Sequence, residues 1–188
     1  MNEENGEINN DPEEGKGILS KDPSELILCY FTCPQDAANA FLGALMLTDY
    51  CARPVHYSFV SPVLPTKVQM ILYGSILEEH VKIDVIGQKL LKDIPSVPDV
   101  LFVDTQDLIA IRRISNIPTA FLSRNTDSEA DPGRITTLAY DTGVNMDDRD
   151  IVGRIIASLE TYVDLVEPFT RMREALKETV KSKDTKGE

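Results

Sequence analysis

Hydrophobic and polar positions fall into blocks along the chain, and the blocks read as alternating strands and helices. Residues 25–31 (ELILCYF) form a short apolar run rich in strand formers, closed by Thr32, Cys33 and Pro34. Continuous apolarity over that length predicts a strand covered on both faces, as in a parallel sheet. Pro34 suits the first turn of a helix, where a missing N–H costs nothing. Ala37, Ala40, Phe41, Ala44, Leu45 and Leu47 then make a broad helical stripe ending near Tyr50. Ala38 and Gly43 add small residues that would let this helix lie close to a sheet. Residues 55–60 (VHYSFV) predict the second strand, stopped by Ser61 and Pro62. Residues 66–79 carry Val68, Ile71, Leu72 and Ile76 at helical spacing, and Val81, Ile83 and Val85 alternate like a half-buried strand.

A short helix at 88–92 leads to residues 99–104 (DVLFVD), the clearest strand of the chain. Thr105 can cap a helix that runs to Asn116, with Leu108, Ile109 and Ile111 on its apolar side. Arg112 and Arg113 end it favourably for the helix dipole. Residues 118–123 (PTAFLS) and 134–140 (RITTLAY) predict two more strands around a polar turn region at 125–133. From Asp147 to Lys183 the pattern is helical, with Val152, Ile156, Leu159, Val163 and Val166 recurring every three or four residues. Pro168 should kink or split that helix, after which Phe169, Met172, Leu176 and Val180 resume the stripe. The sum is a Rossmann-like α/β fold. It has a mostly parallel sheet of five to six strands, helices on both faces and a long C-terminal helix.

Charge narrows the function classes. The 188 residues hold 31 acidic and 19 basic side chains, a net of -12. That balance argues against direct nucleic-acid binding, which needs clustered Lys and Arg on the phosphate backbone. Seven of the acids (Glu3, Glu4, Glu7, Asp11, Glu13, Glu14 and Asp22) fall in residues 1–24, against two bases. Such a segment cannot bury enough apolar surface to offset its ordering entropy, so it is expected to be a disordered acidic tail. Residues 25–183 then form one α/β domain, and 184–188 a frayed end. No apolar run reaches the roughly 18 residues of a membrane span, so no membrane partner is expected. The opening residues lack the basic start and apolar stretch of a signal peptide. Three irregularly spaced cysteines make no disulfide framework. The expected location is intracellular: cytoplasmic, or nuclear in a eukaryote.

Open parallel sheets bind ligands outside the carboxyl ends of their strands. Those ends supply Thr32, Cys33, Asp36, Ser61, Asp104, Ser123, Arg124 and Asp141. Asp104 stands out, since a carboxylate ending an apolar strand can bind a metal or orient a base. The same residue also serves as a helix cap or turn former. Cys33 sits where a strand meets a helix start, a setting that can activate a thiol, but it has no neighbouring His or second Cys. All three thiols also read as packing residues. Asp141, Thr142 and Gly143 make either an anion-binding turn or an ordinary tight turn. Cys29, Cys33, Cys51 and His56 match no zinc spacing. Neither His56 nor His80 is placed to activate a nucleophile. There is no phosphate loop of the Walker type and no G-x-G-x-x-G.

The order of pieces resembles the N-terminal domain of the DHH phosphoesterase superfamily, which contains the RecJ-type nucleases. Three stretches carry the resemblance: residues 26–40, running from a strand into a step of small residues; residues 55–62, a strand followed by Pro62; and residues 98–105, whose strand ends at Asp104. The family's active members bind metal through the acid that Asp104 matches, and Asp36 matches the second acid of the first motif. Pro34 stands in place of that motif's first acid. Ser123, Arg124 and Asn125 stand where the family has Asp-His-His. The resemblance therefore implies a degenerate member, akin to the inactive RecJ-like proteins that join replication-helicase assemblies.

The first expectation is thus a non-catalytic α/β interaction domain with a protein partner or a second copy, and no cofactor. One alternative is a phosphoester hydrolase using Mg2+ or Mn2+ on Asp36, Asp104 and Asp141. The other is a small-ligand or nucleotide sensor. It would use Thr32, Cys33, Ser123, Arg124, Thr142 and Gly143 at the sheet's carboxyl edge.

Overall fold

Every residue of the strand Leu28–Thr32 (β1) is buried, so alternate side chains feed two different cores. The computed structural model describes residues 21–124 and 138–184. Five further strands pair around β1: β2 Ala44–Thr48, β3 Pro54–Phe59, β4 Val100–Val103, β5 Thr119–Arg124 and β6 Leu138–Asp141. They form one sheet in the order β3-β2-β1-β4-β5-β6. β1, β4 and β5 run parallel. β2 is antiparallel to β1, β3 to β2, and β6 to β5. The expected α/β class is present, with a mixed sheet in place of a mostly parallel one.

One face packs Leu28, Tyr30, Met46, Phe102 and Leu122 against Val152, Leu159, Phe169, Met172 and Leu176. The Phe169 ring meets Tyr30 edge-on at 5.2 Å. The other face packs Cys29, Phe31, Leu45, Leu47, Leu101 and Val103 against Ile83, Ile86, Leu90, Leu108 and Ile111. Helical elements therefore cover both faces. After β3 the chain runs through α1 (Lys67–Tyr73), which buries no residue, a 3-10 turn (Gly74–Ile76), α2 (Leu77–Glu79), a π-helix (His80–Gly87) and α3 (Gln88–Lys92), the last two supplying Ile83, Ile86 and Leu90 to this second side. After β4 follow a 3-10 helix (Gln106–Ile111) and α4 (Arg112–Ser115).

Two expectations change. The helix expected over 37–50 is a reversal into β2. Asp36 accepts hydrogen bonds from the Ala38 and Ala40 N–H groups, at 2.8 and 2.9 Å. Asn39 takes a positive φ of 61°. The chain folds back on itself and Ala44–Thr48 pairs with β1 across its whole length. The small residues here serve close packing against the π-helix: a Cβ on Gly43 would lie 2.1 Å from Ile86 Cγ2. This same stretch is the one that the DHH resemblance maps onto a helix.

The alternation at 81–85 is not a strand. Val81 and Ile83 are buried within the π-helix, together with Ile86 and Gly87. The expected split of the long C-terminal helix is present, as α5 (Met146–Leu159) and α6 (Glu167–Asp184), with the break ahead of Pro168. Asp164 starts the second by accepting from the Val166 and Glu167 N–H groups. Pro168 sits just inside α6, where its missing N–H is harmless.

Residues 21–24, the last of the expected acidic tail, are bonded to the domain or within a turn. Lys21 Nζ lies 2.7 Å from Asp99, and Asp22 caps a 3-10 turn at Pro23–Glu25. The rest of the expected acidic tail, the turn region 125–133, residues 134–137 of the expected last strand, and 185–188 lie outside the described residues.

Candidate functional site

Two places merit comparison: the carboxyl edge of the parallel strands, and the solvent face of α1.

At the carboxyl edge, β1 and β4 bring Thr32 and Asp104 together. Thr32 Oγ1 donates to Asp104 Oδ2 at 2.7 Å. Arg173, reaching in from α6, donates to the same oxygen from Nε and Nη2, at 3.0 and 2.8 Å. The Asp104 side chain is 8% exposed and Arg173 45%. A buried carboxylate needs a partner to offset its desolvation, and here a guanidinium supplies it. The arrangement makes Asp104 the anchor of α6 on the sheet.

Cys33, next along β1, is buried, and burial pushes its thiol up to about 12, outweighing the pull of Lys82. It is a packing residue in its present setting. Lys82, from the π-helix, is itself paired with Asp107 at 2.9 Å and Glu78 at 3.3 Å.

The other expected residues are dispersed. Asp36 is occupied by the N–H groups of its own turn. β6 runs antiparallel to β5, yet its last residue stands in one row with Phe121, Val103 and Phe31, level with the carboxyl ends of β4 and β1 and two strands away from β4. Asp141 sits opposite Phe121 within the ladder. It accepts from Gln106 Nε2 at 3.0 Å and from the Gly143 N–H at 2.8 Å. That N–H points back at its own turn, and the Thr142 hydroxyl donates to the Asn145 carbonyl. Gly143 has φ 63°, and a Cβ there would meet Ile109. The Asp141–Thr142–Gly143 unit is thus built as a tight turn packed beside a helix.

Ser123 lies in β5 opposite Ala139. Arg124 is ion-paired with Asp164, the cap of α6. Ser61 is exposed just past β3. Among the described residues, no three His, Cys, Asp or Glu side chains stand close enough to hold a metal ion. The acids on which the Mg2+ or Mn2+ alternative rests are each engaged separately. Arg112 and Arg113, expected as dipole partners, are ion-paired. Arg112 grips the buried Asp148 at 2.7 and 3.1 Å, and Arg113 bridges Glu79 and Asp84.

The α1 face has the opposite character. Thr66 and Gln69 form a reciprocal capping box, which explains why so short a helix starts there. Gly74 ends it with a positive φ of 53°. Val68, Ile71 and Leu72 share one helical face, yet they are 64%, 72% and 76% exposed. No residue of α1 is buried. Leu64, Met70 and Ile76 add exposed apolar surface on either side. Amphipathic helices ordinarily turn such a stripe inward. Nearby in sequence, β3 is an edge strand with Val55 and Phe59 exposed. No acidic residue occurs between Asp49 and Glu78 in this acidic chain. Spacing alone made Val68, Ile71, Leu72 and Ile76 a helical stripe. A stripe that covers a core and one that faces solvent have the same period, and the missing acids were the one distinguishing sign.

No protein-family model matches the chain, and no curated protein matches it significantly. Among solved structures, it is similar to Ciona intestinalis Endonuclease V bound to a 23mer DNA containing an inosine followed by a ribo-adenosine. That likeness has 14% identity and a TM-score of 0.35, over 53% of this chain and 46% of the other. The same enzyme with a 24mer gives 14% and 0.35 over 55% and 47%. Marinitoga piezophila Argonaute with a 5′ OH guide RNA gives 11% and 0.33, over 78% of this chain and 28% of that one. The chain spans about half the length of the Endonuclease V chains it matches. Likenesses this low carry no argument about chemistry. Among the described residues, no helix is long and apolar enough to cross a membrane.

Proposed function

We propose that this chain is a non-catalytic α/β domain that works by binding protein through the face carrying α1. The observation that supports the reading is the solvent-facing stripe of Val68, Ile71 and Leu72. Contiguous apolar surface of this kind marks an interaction site on a monomer. The carboxyl edge supports the same reading from the other side, because Arg173 and Thr32 already engage Asp104. A photo-reactive residue placed at Ile71 or Leu72 and irradiated in cells tests the proposal. Covalent adducts to protein are expected from these positions and not from Val144, an exposed control. Absence of adducts from every α1 position contradicts it.

A further inference from the structure

We infer that the occupant of the α1 face is a second copy of this chain, meeting it face to face about a twofold axis. The inference rests on the protein-binding reading above and gives it a partner.

Area is the first argument. Leu64, Val68, Met70, Ile71, Leu72 and Ile76 are each at least half exposed. Without Met70, which lies on the far side of the helix from the Val68, Ile71 and Leu72 stripe, they offer on the order of 600 Å² per chain, against the roughly 800 Å² each partner contributes to a standard interface. Two copies bring about twice their own share, at the lower end of the range of stable dimers. An isologous contact needs one patch that tolerates its own image, and an uncharged apolar patch does.

Charge is the second. Two chains of net -12 repel each other wherever their acids face. Residues 50–77 contain no Asp or Glu, while Arg53 and Lys67 are their only Lys or Arg. The acid-free segment is also the one that carries these exposed apolar side chains, so a contact made by the segment sets no acid of its own against its image. Gly74 limits α1 to two turns, which keeps the patch a compact knob.

The sign of the salt dependence follows. Self-association through this face is opposed by the remaining charge, so it strengthens as salt screens that charge. A partner held by charge complementarity would instead weaken.

Sedimentation of the full chain across micromolar concentrations, at low and high NaCl, tests the inference. The expected result is a species of twice the 20.9 kDa chain mass, more populated at high salt. Ile71→Glu should return it to monomer, with an unchanged far-UV circular dichroism spectrum because Ile71 is not part of the core. Val97→Glu, on exposed surface outside this segment, should leave the dimer intact. Monomer at every concentration and salt overturns the second-copy inference, as does a dimer that Ile71→Glu leaves unchanged. If the chain is monomeric but Ile71 still crosslinks to a different protein, only the choice of occupant fails. If Ile71 and its α1 neighbours crosslink to nothing, the protein-binding reading fails with it.

Discussion

Asp104 at the end of β4 and Arg173 on α6 meet through two hydrogen bonds to one carboxylate oxygen, which Thr32 of β1 also contacts. A single acid thereby ties the C-terminal helix to two parallel strands. Arg173→Ala leaves a largely buried carboxylate with one hydroxyl donor. Because the guanidinium is partly exposed, the cost should be about 1 kcal/mol. Asp104→Asn should cost a similar amount, and the double variant less than the sum, since the two groups share one interaction. Urea denaturation of the four proteins measures this. Strict additivity would show that the pair is not coupled.

The three thiols should separate by reactivity. Cys29 and Cys33 are buried and Cys51 is half-buried. Burial pushes Cys33 up to about 12 and Cys29 further still. Alkylation of the native protein near neutral pH, followed by peptide mass mapping, should label Cys51 first. Cys29 and Cys33 should react only as the protein unfolds. Rapid labelling of native Cys33 would restore it as an active thiol.

Millimolar Mn2+ or Mg2+ should leave the melting temperature within about a degree of its metal-free value, because Asp36, Asp104 and Asp141 are each bonded elsewhere. A rise of several degrees that Asp104→Asn abolishes would favour the metal-dependent hydrolase instead.

Acid should weaken the fold in a defined window. The hydrogen bonds from His80 and then Arg113 hold Asp84 below its ordinary value of 3.8. For Asp107, burial pushes upward, but the Lys82 ammonium wins and its carboxyl also lies below that value. Depressed folded-state values mean that the stabilisation is complete above the unfolded value and lost as pH falls toward the folded ones. Urea midpoints should therefore hold steady from about pH 7 to 5 and drop below about pH 4. The drop should shrink in the Asp84→Asn, Asp107→Asn variant. An equal drop in that variant would assign acid sensitivity to other groups.

Much of the fold is legible in the chain because burial on both faces leaves unbroken apolar runs, as in Leu28–Thr32 and Val100–Val103. β2 is not legible as a strand because its five residues, ALMLT, fit a buried helix as well as a buried strand. The decision came from Asp36 and Asn39, whose turn precedes it. The π-helix is not legible because Val81 and Ile83 are both buried within it, which imitates strand alternation. Of the candidate site, Thr32 and Asp104 were found from strand ends. Arg173 was not, because a helix's polar face gives no sign of which residue reaches the sheet. Asp141 stands level with the ends of β1 and β4 but two strands from β4, because β6 runs antiparallel beside β5, a direction its sequence does not encode.

The most direct measurement is the native mass of the protein in extracts of the cells that make it, compared between the wild type and Ile71→Glu by size exclusion with immunodetection. The wild type should elute as an assembly well above 20.9 kDa, and the variant should move to the position of the single chain. Wild-type protein eluting as a single chain, or an assembly indifferent to Ile71→Glu, would contradict the account.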